Sequence, residues 1–280
     1  MIYISSACVK AKTIGESIEK IGDLGYDNVE LSGGTNPYPE LEQHLKEARK
    51  NGKNLLLHNY FPPPPTPFVL NLASLDGETA SLSMSHAANA LRISSELDCD
   101  KFGIHAGFLI NIPVNQIGKS IDRKALFNRD EAMEFFLENI RLLTAESSPK
   151  IYIENNVIAP FNLENFKGEN PFFLTSSVDY FEMAKKIDLN LLLDVAHLKV
   201  SCCALGLDFD RELDALLPLS SYVHISDNDG QSDSNNGLKK DSDLYKSLSR
   251  FDFTSKTITI EVYDGAESVH ETHNAIHSLL

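Results

Sequence analysis

Seven apolar runs spread along the chain end in, or beside, a carboxylate or an imidazole: Glu30, His58, His105, Glu154, Asp194, His224 and Glu261. Taken singly, each has an ordinary explanation. A lone histidine after an apolar run is more often a hydrogen-bonded structural residue, and a lone glutamate faces solvent. Seven in one local context predict a shared destination. Several carboxylates in one cavity would drive up one another's pKa values unless a cation neutralised them. A divalent metal is the economical counter-ion, and the minimal ligand set is Glu154, Asp194, His224 and Glu261. Oxygen donors with an imidazole and no cysteine suit Mn, Co, Mg, Fe or Zn and disfavour a structural zinc cage. Such a set also leaves a coordination position open for substrate. His58 and His105 could join Glu154 in a second metal site or hydrogen-bond substrate hydroxyls, the second role being preferred. His197, three residues after Asp194, is expected on the loop leaving the sixth strand, as a proton shuttle, a ligand or a substrate contact.

Eight β-rich runs carry the elements that must position these groups. They lie near Ile2, Val29, Leu56, Ile104, Ile153, Leu192, Val223 and Ile260. Several are apolar at consecutive positions, as parallel strands covered on both faces require. Helical patterns separate them: Thr13 to Leu24, Pro39 to Lys50, Glu78 to Leu97, Asp130 to Thr144, Ser177 to Ile187, Arg211 to Leu217, Asp241 to Leu248 and Glu267 to Leu279. Strand and helix alternating eight times predict an α/β fold, one (β/α)8 barrel over residues 1–280 with its site at the C-terminal mouth. Long segments at Phe108 to Asn128 and Asn155 to Leu174 fall on the mouth side, as does the stiff FPPPPTPF stretch around Pro62 to Pro67.

The composition narrows the partners. The chain has 280 residues and a net charge of −15, which repels nucleic acid and anionic lipid. It has no apolar run of membrane-spanning length and no basic-then-apolar leader, so a cytoplasmic protein is expected. Cys8, Cys99, Cys202 and Cys203 are then free thiols, with a vicinal bridge between the last two disfavoured. A small molecule is left as the expected partner, and monomer or homodimer is left open.

The residues in order resemble the xylose isomerase-like barrel superfamily, which includes sugar phosphate isomerases and epimerases, inosose dehydratases and the endonuclease IV family. The resemblance runs through VELSGG at Val29–Gly34, LLHNYFPPP at Leu56–Pro64, IHAGF at Ile104–Phe108 and IENN at Ile153–Asn156. It continues in LLDVAH at Leu192–His197, HISDNDG at His224–Gly230 and IEV at Ile260–Val262. It implies the same four metal ligands, Glu154, Asp194, His224 and Glu261, with the two glutamates as the acid–base pair. His58 and His105 match histidines that hold another zinc in the endonucleases, and His197 matches a ligand of their third. The chain departs from the pattern at Asp233-Ser234-Asn235, where a histidine is missing, and it has no tryptophan. The substrate-binding set expected here is Glu30, His58, His105, His197, Lys199 and Asp227, Lys199 being either the holder of a substrate phosphate or carboxylate or a plain surface lysine. The leading activity is isomerisation or epimerisation of a sugar derivative through an enediolate. Dehydration by a lyase, endonuclease IV-like phosphodiester hydrolysis and a non-catalytic binding role are the alternatives.

Overall fold

A computed structural model describes residues 1–280. Eight strands pair in parallel with their neighbours in chain order and close on themselves: β1 (Ile2–Ser5), β2 (Asn28–Leu31), β3 (Asn54–His58), β4 (Lys101–His105), β5 (Lys150–Glu154), β6 (Leu191–Asp194), β7 (Tyr222–Ile225) and β8 (Thr257–Ile260). Helices cover the outside: α1 (Ile14–Asp23), α2 (Leu41–Lys50), α3 (Gly77–Glu96), α4 (Arg129–Ala145), α5 (Pro160–Asn165), α6 (Ser177–Ala184), α7 (Val195–Leu205), α8 (Phe209–Leu216), α9 (Asp243–Leu248) and α10 (Ala266–His277). The chain is a (β/α)8 barrel, as its alternation predicts. None of the helices is long and apolar enough to cross a membrane.

The outer helices form where pattern and cap agree. In α1 the Thr13 hydroxyl accepts from the Glu16 amide at 3.3 Å, and Ile14, Ile18 and Ile21 turn one stripe inward. Helix α7 is different. Its sequence VAHLKVSCCAL is apolar almost all round and seven of its eleven residues are buried, so it has no clear amphipathic stripe to read. It starts directly at the end of β6, with Asp194 as its N-cap, and stops at Gly206, whose φ of 67° is a left-handed cap. The expectation that His197 lies on a loop is therefore corrected: it sits in the first turn of α7. Cys202 and Cys203 are adjacent in the same helix, about 100° apart around its axis, one buried and one exposed, and all four cysteines are free thiols.

Register sets the depth of each inward side chain. Glu30 pairs with Leu56, two residues below His58 on β3, whereas Asp194 pairs with His224 and His105 with Glu154. Gly103 leaves room for this packing, since a Cβ there would lie 2.7 Å from both His58 Cδ2 and Leu192 Cδ1.

Candidate active site

The barrel's C-terminal end opens into a cavity of about 710 Å³. His58, His105, Glu154, His197 and Glu261 line its floor, and Tyr60, Pro63, Pro64, Val114, Asp233 and Tyr263 stand on its walls. The proline stretch is thus part of the rim.

Glu154 is the hub. Its Oε2 lies 2.6 Å from His58 Nε2 and 3.3 Å from His105 Nδ1, and its Oε1 lies 3.3 Å from His224 Nδ1. The same His224 nitrogen is 3.4 Å from Glu261 Oε2. Asp194 accepts the His197 amide on Oδ1 at 2.7 Å, the N-cap bond, which leaves Oδ2 facing the mouth 3.9 Å from His197 Nε2. Glu154, Asp194 and His224 each offer a ligand atom within 4.8 Å of the others, and so do His58, His105 and Glu154. Ligands about 2 Å from one ion stand about 3 to 4 Å apart, so modest side-chain adjustment closes either set. Four of the eight buried side-chain atoms with no hydrogen-bond partner belong here: His105 Nδ1, Glu154 Oε1, His224 Nδ1 and Asp233 Oδ1. Orphaned donors and lone pairs that converge are what a divalent ion would satisfy. The donor set, carboxylates and imidazoles without sulfur, fits a catalytic cation.

Burial and neighbouring charge pull these groups in opposite directions. Burial raises the Asp194 carboxyl, and although His197 opposes this, the Glu154 and Asp233 carboxylates help carry it up to about 7. Burial pushes Glu261 the same way, but hydrogen bonding and charge from His224 outweigh it and hold the carboxyl at about 2. Burial lowers His105 to about 4, beyond what Glu154 restores. Burial also lowers His224 and His197, yet the acids around them win and hold both well above the ordinary histidine value.

Three members of the expected substrate set stand elsewhere. Glu30 lies a layer beneath the mouth, 0% exposed. Its Oε2 accepts from the Tyr222 hydroxyl, from that of Thr259 at 2.9 Å and from His224 Nε2 at 3.2 Å, with Oε1 3.0 Å from the same nitrogen. It holds the far side of His224 and cannot meet substrate. Lys199 and Asp227 bind each other at 2.7 Å, and Lys199 also donates to the Asn228 carbonyl at 2.5 Å. Neither lines the cavity, because α7 carries Lys199 behind the mouth. His58, His105 and His197 do face it.

The residue reading missed Asp233 and Tyr263. Asp233 Oδ2 lies 3.3 Å from His197 Nε2, brought there by the loop after β7. Tyr263 donates to Glu261 Oε1 at 2.9 Å. An i, i+2 spacing from Glu261 in an extended segment was the available signal for Tyr263. Asp233 had only its place in a polar loop.

No curated protein matches the chain by sequence. Solved structures superpose along its whole length. A D-tagatose 3-epimerase-like protein matches with a TM-score of 0.71 at 17% identity, over 99% of this chain and 96% of that one. Endonuclease IV from Thermus thermophilus matches at 0.62 and 16%, over 99% of each. The 3-keto-D-glucoside 4-epimerase of E. coli matches at 0.64 and 12%, over 99% and 98%. At these identities the likeness is one of fold. The family model described as xylose isomerase-like TIM barrel matches residues 18–277. With that match over nearly the whole barrel, the chain belongs to the xylose isomerase-like TIM-barrel family.

Proposed function

We propose that this protein is a divalent-cation-dependent isomerase or epimerase of a sugar or sugar derivative, with Glu154, Asp194, His224 and Glu261 as ligands and Glu154 and Glu261 as acid and base. One observation carries the reading: two glutamates, one closing β5 and one just past the end of β8, reach the same His224 nitrogen at 3.3 and 3.4 Å and line one open cavity. A carbon held between them meets a carboxylate on either side. One removes the proton next to a substrate carbonyl, and the other returns a proton at the opposite face or at the next carbon. A divalent cation, when bound, polarises that carbonyl and acidifies the neighbouring C–H. Tyr263 orients Glu261 through its hydrogen bond, and Glu30 fixes the His224 ring from below. His58, His105 and His197 line the floor where substrate hydroxyls would lie, although His58, His105 and Glu154 also have the spacing for a second ion. The structural neighbours described as a D-tagatose 3-epimerase-like protein and a 3-keto-D-glucoside 4-epimerase support the sugar class. Against a nuclease stand the −15 charge and Asn235 in the position of the missing histidine.

The test is exchange of carbon-bound hydrogen with deuterated solvent over a panel of ketohexoses and pentuloses, using protein loaded with Mn²⁺. Exchange without other mass change is expected, with a loss of at least about 100-fold in Glu154→Gln and in Glu261→Gln. A product lighter by one water would make the enzyme a dehydratase. Ligand binding that neither variant disturbs, without turnover, would leave only a binding protein.

A further inference from the structure

We propose that the substrate carries an apolar, ring-sized substituent, seated in a second cavity that opens off the side of the mouth; the substrate class is that of the sugar reading above. This cavity, of about 190 Å³, is built from the loop after β4 and the segment after β5. Tyr60, His105, Ile117, His197 and Asp233 line both it and the larger cavity, so the two spaces meet at the imidazoles. A ligand held at Glu154 and Glu261 can extend into it.

Polarity is segregated along this space. The ionisable side chains His105, His197 and Asp233 stand at the shared end, and beyond them the walls are Phe108, Ile112, Ile121, Val157, Phe161 and Phe172. The amides on that wall are already used. Asn156 donates to the carbonyls of Ala106, Gly107 and Phe173. Asn162 donates to the Lys119 carbonyl and accepts the Ile121 amide. Sugar hydroxyls buried here would find few partners, an unfavourable exchange for their hydrogen bonds to water. The wall is also packed from behind. Phe108, Ile112, Ile121 and Phe172 pack with Val69, Ile110, Ile158 and Phe166 in a core of their own, separate from that of the barrel. Phe108 and Phe172 meet edge to face at 5.4 Å and bridge through their backbones. An apolar cavity of roughly 150 Å³ accepts benzene, so this one has room for a single ring. At its lining Ile117 and Phe161 remain 41% and 37% exposed, apolar surface that such a substituent would cover. The lining cation, Lys119, donates to the Asn115 carbonyl at 3.3 Å.

Two measurements decide it. The first is binding of benzyl alcohol, the ring alone, to the full-length protein by ligand-observed NMR, in wild type, Ile117→Asp and Phe161→Asp. Both positions are partly exposed, and an acid in the first turn of α5 is favourable for the helix, so melting temperatures should hold. Millimolar binding is expected, weakened at least fivefold by either substitution. Equal binding in all three, no binding at all, or tighter binding of benzoate than of benzyl alcohol overturns the proposal. The second is solvent-hydrogen exchange on D-fructose and on 6-O-benzyl-D-fructose. The benzyl ether should be preferred about tenfold in kcat/KM, about 1.4 kcal/mol, with the preference lost in the double variant. Exchange that is as fast on D-fructose overturns the apolar subsite and leaves the isomerase reading intact. Exchange on neither, with benzyl alcohol binding as expected, counts against the isomerase reading and leaves the subsite standing.

Discussion

Replacing Glu30 by Gln tests whether the barrel positions His224 from beneath. The glutamate, Tyr222, His224 and Thr259 are all 0% exposed, so no water can substitute for a lost partner. For Nδ1 of a neutral His224 to act as a ligand, its proton must sit on Nε2, and that N–H needs an acceptor. Glu30 Oε2, 3.2 Å away, is the acceptor at hand, and it is the same oxygen that takes the Tyr222 and Thr259 hydroxyls. Glutamine has the same shape but only one oxygen. With its NH2 toward His224, Nε2 must accept, and the ring proton moves to Nδ1, the atom facing Glu154 and Glu261. With its oxygen in the place of Oε2 all three donors keep their acceptor, but the NH2 then takes the place of Oε1, 3.0 Å from Nε2, and sets donor against donor. The first arrangement forfeits a hydrogen bond and the second leaves a buried NH2 without an acceptor, each costing about 1–3 kcal/mol in a sealed core. Changes of this kind behind a metal ligand cost about 10- to 100-fold in affinity. The assay is calorimetric titration with Mn²⁺ together with a thermal melt. Kd should rise about 10- to 100-fold, and Tm should fall by about 3–8 °C. A Kd within about twofold of wild type would refute the reasoning, and a lowered Tm with that unchanged Kd would reduce Glu30 to a purely structural residue.

Other outcomes follow from the same geometry. Lys199→Met removes the pairing with Asp227 and the bond to the Asn228 carbonyl, and should cost about 1–2 kcal/mol of stability with KM unchanged; a large rise in KM at constant Tm would restore Lys199 to the substrate. Gly103→Ala puts a methyl 2.7 Å from His58 Cδ2 and Leu192 Cδ1, so a loss of about 1–3 kcal/mol is expected in urea unfolding, with turnover reduced as His58 shifts. Tyr263→Phe removes the bond to Glu261 and should lower kcat more than it raises KM, with Tm within about 2 °C because Tyr263 is half exposed; a change confined to KM would place Tyr263 on the substrate instead.

Much of this arrangement is legible from local pattern. Parallel strands buried on both faces read as apolar runs, and a polar residue closing such a run has nowhere to go but an end of the sheet. That is why His58, His105, Glu154, Asp194, His224 and Glu261 could be assigned to one mouth before any coordinates. Glu30 satisfied the same local test and went elsewhere. Its run ends one residue later, and the stagger of β2 against β3 puts it level with Leu56 rather than His58. Stagger is a relation between strands, and no single run contains it. Helix α7 escaped for the opposite reason: apolar almost all round, it has no polar face to betray its period. That helix turns Lys199 away from the mouth and His197 into it. Asp233 depended on the path of a loop whose polar residues carry no periodicity.

Residue type and order by themselves determined the barrel, the end of it that holds the chemistry, and the acids and imidazoles gathered there, because alternation and burial act within a few residues. Tertiary structure alone decided which of them share an ion's reach, which stand one layer too deep, and that an apolar side room opens beside them. Those depend on strand stagger and loop packing, which bring together residues far apart in the chain and leave no trace in any one segment.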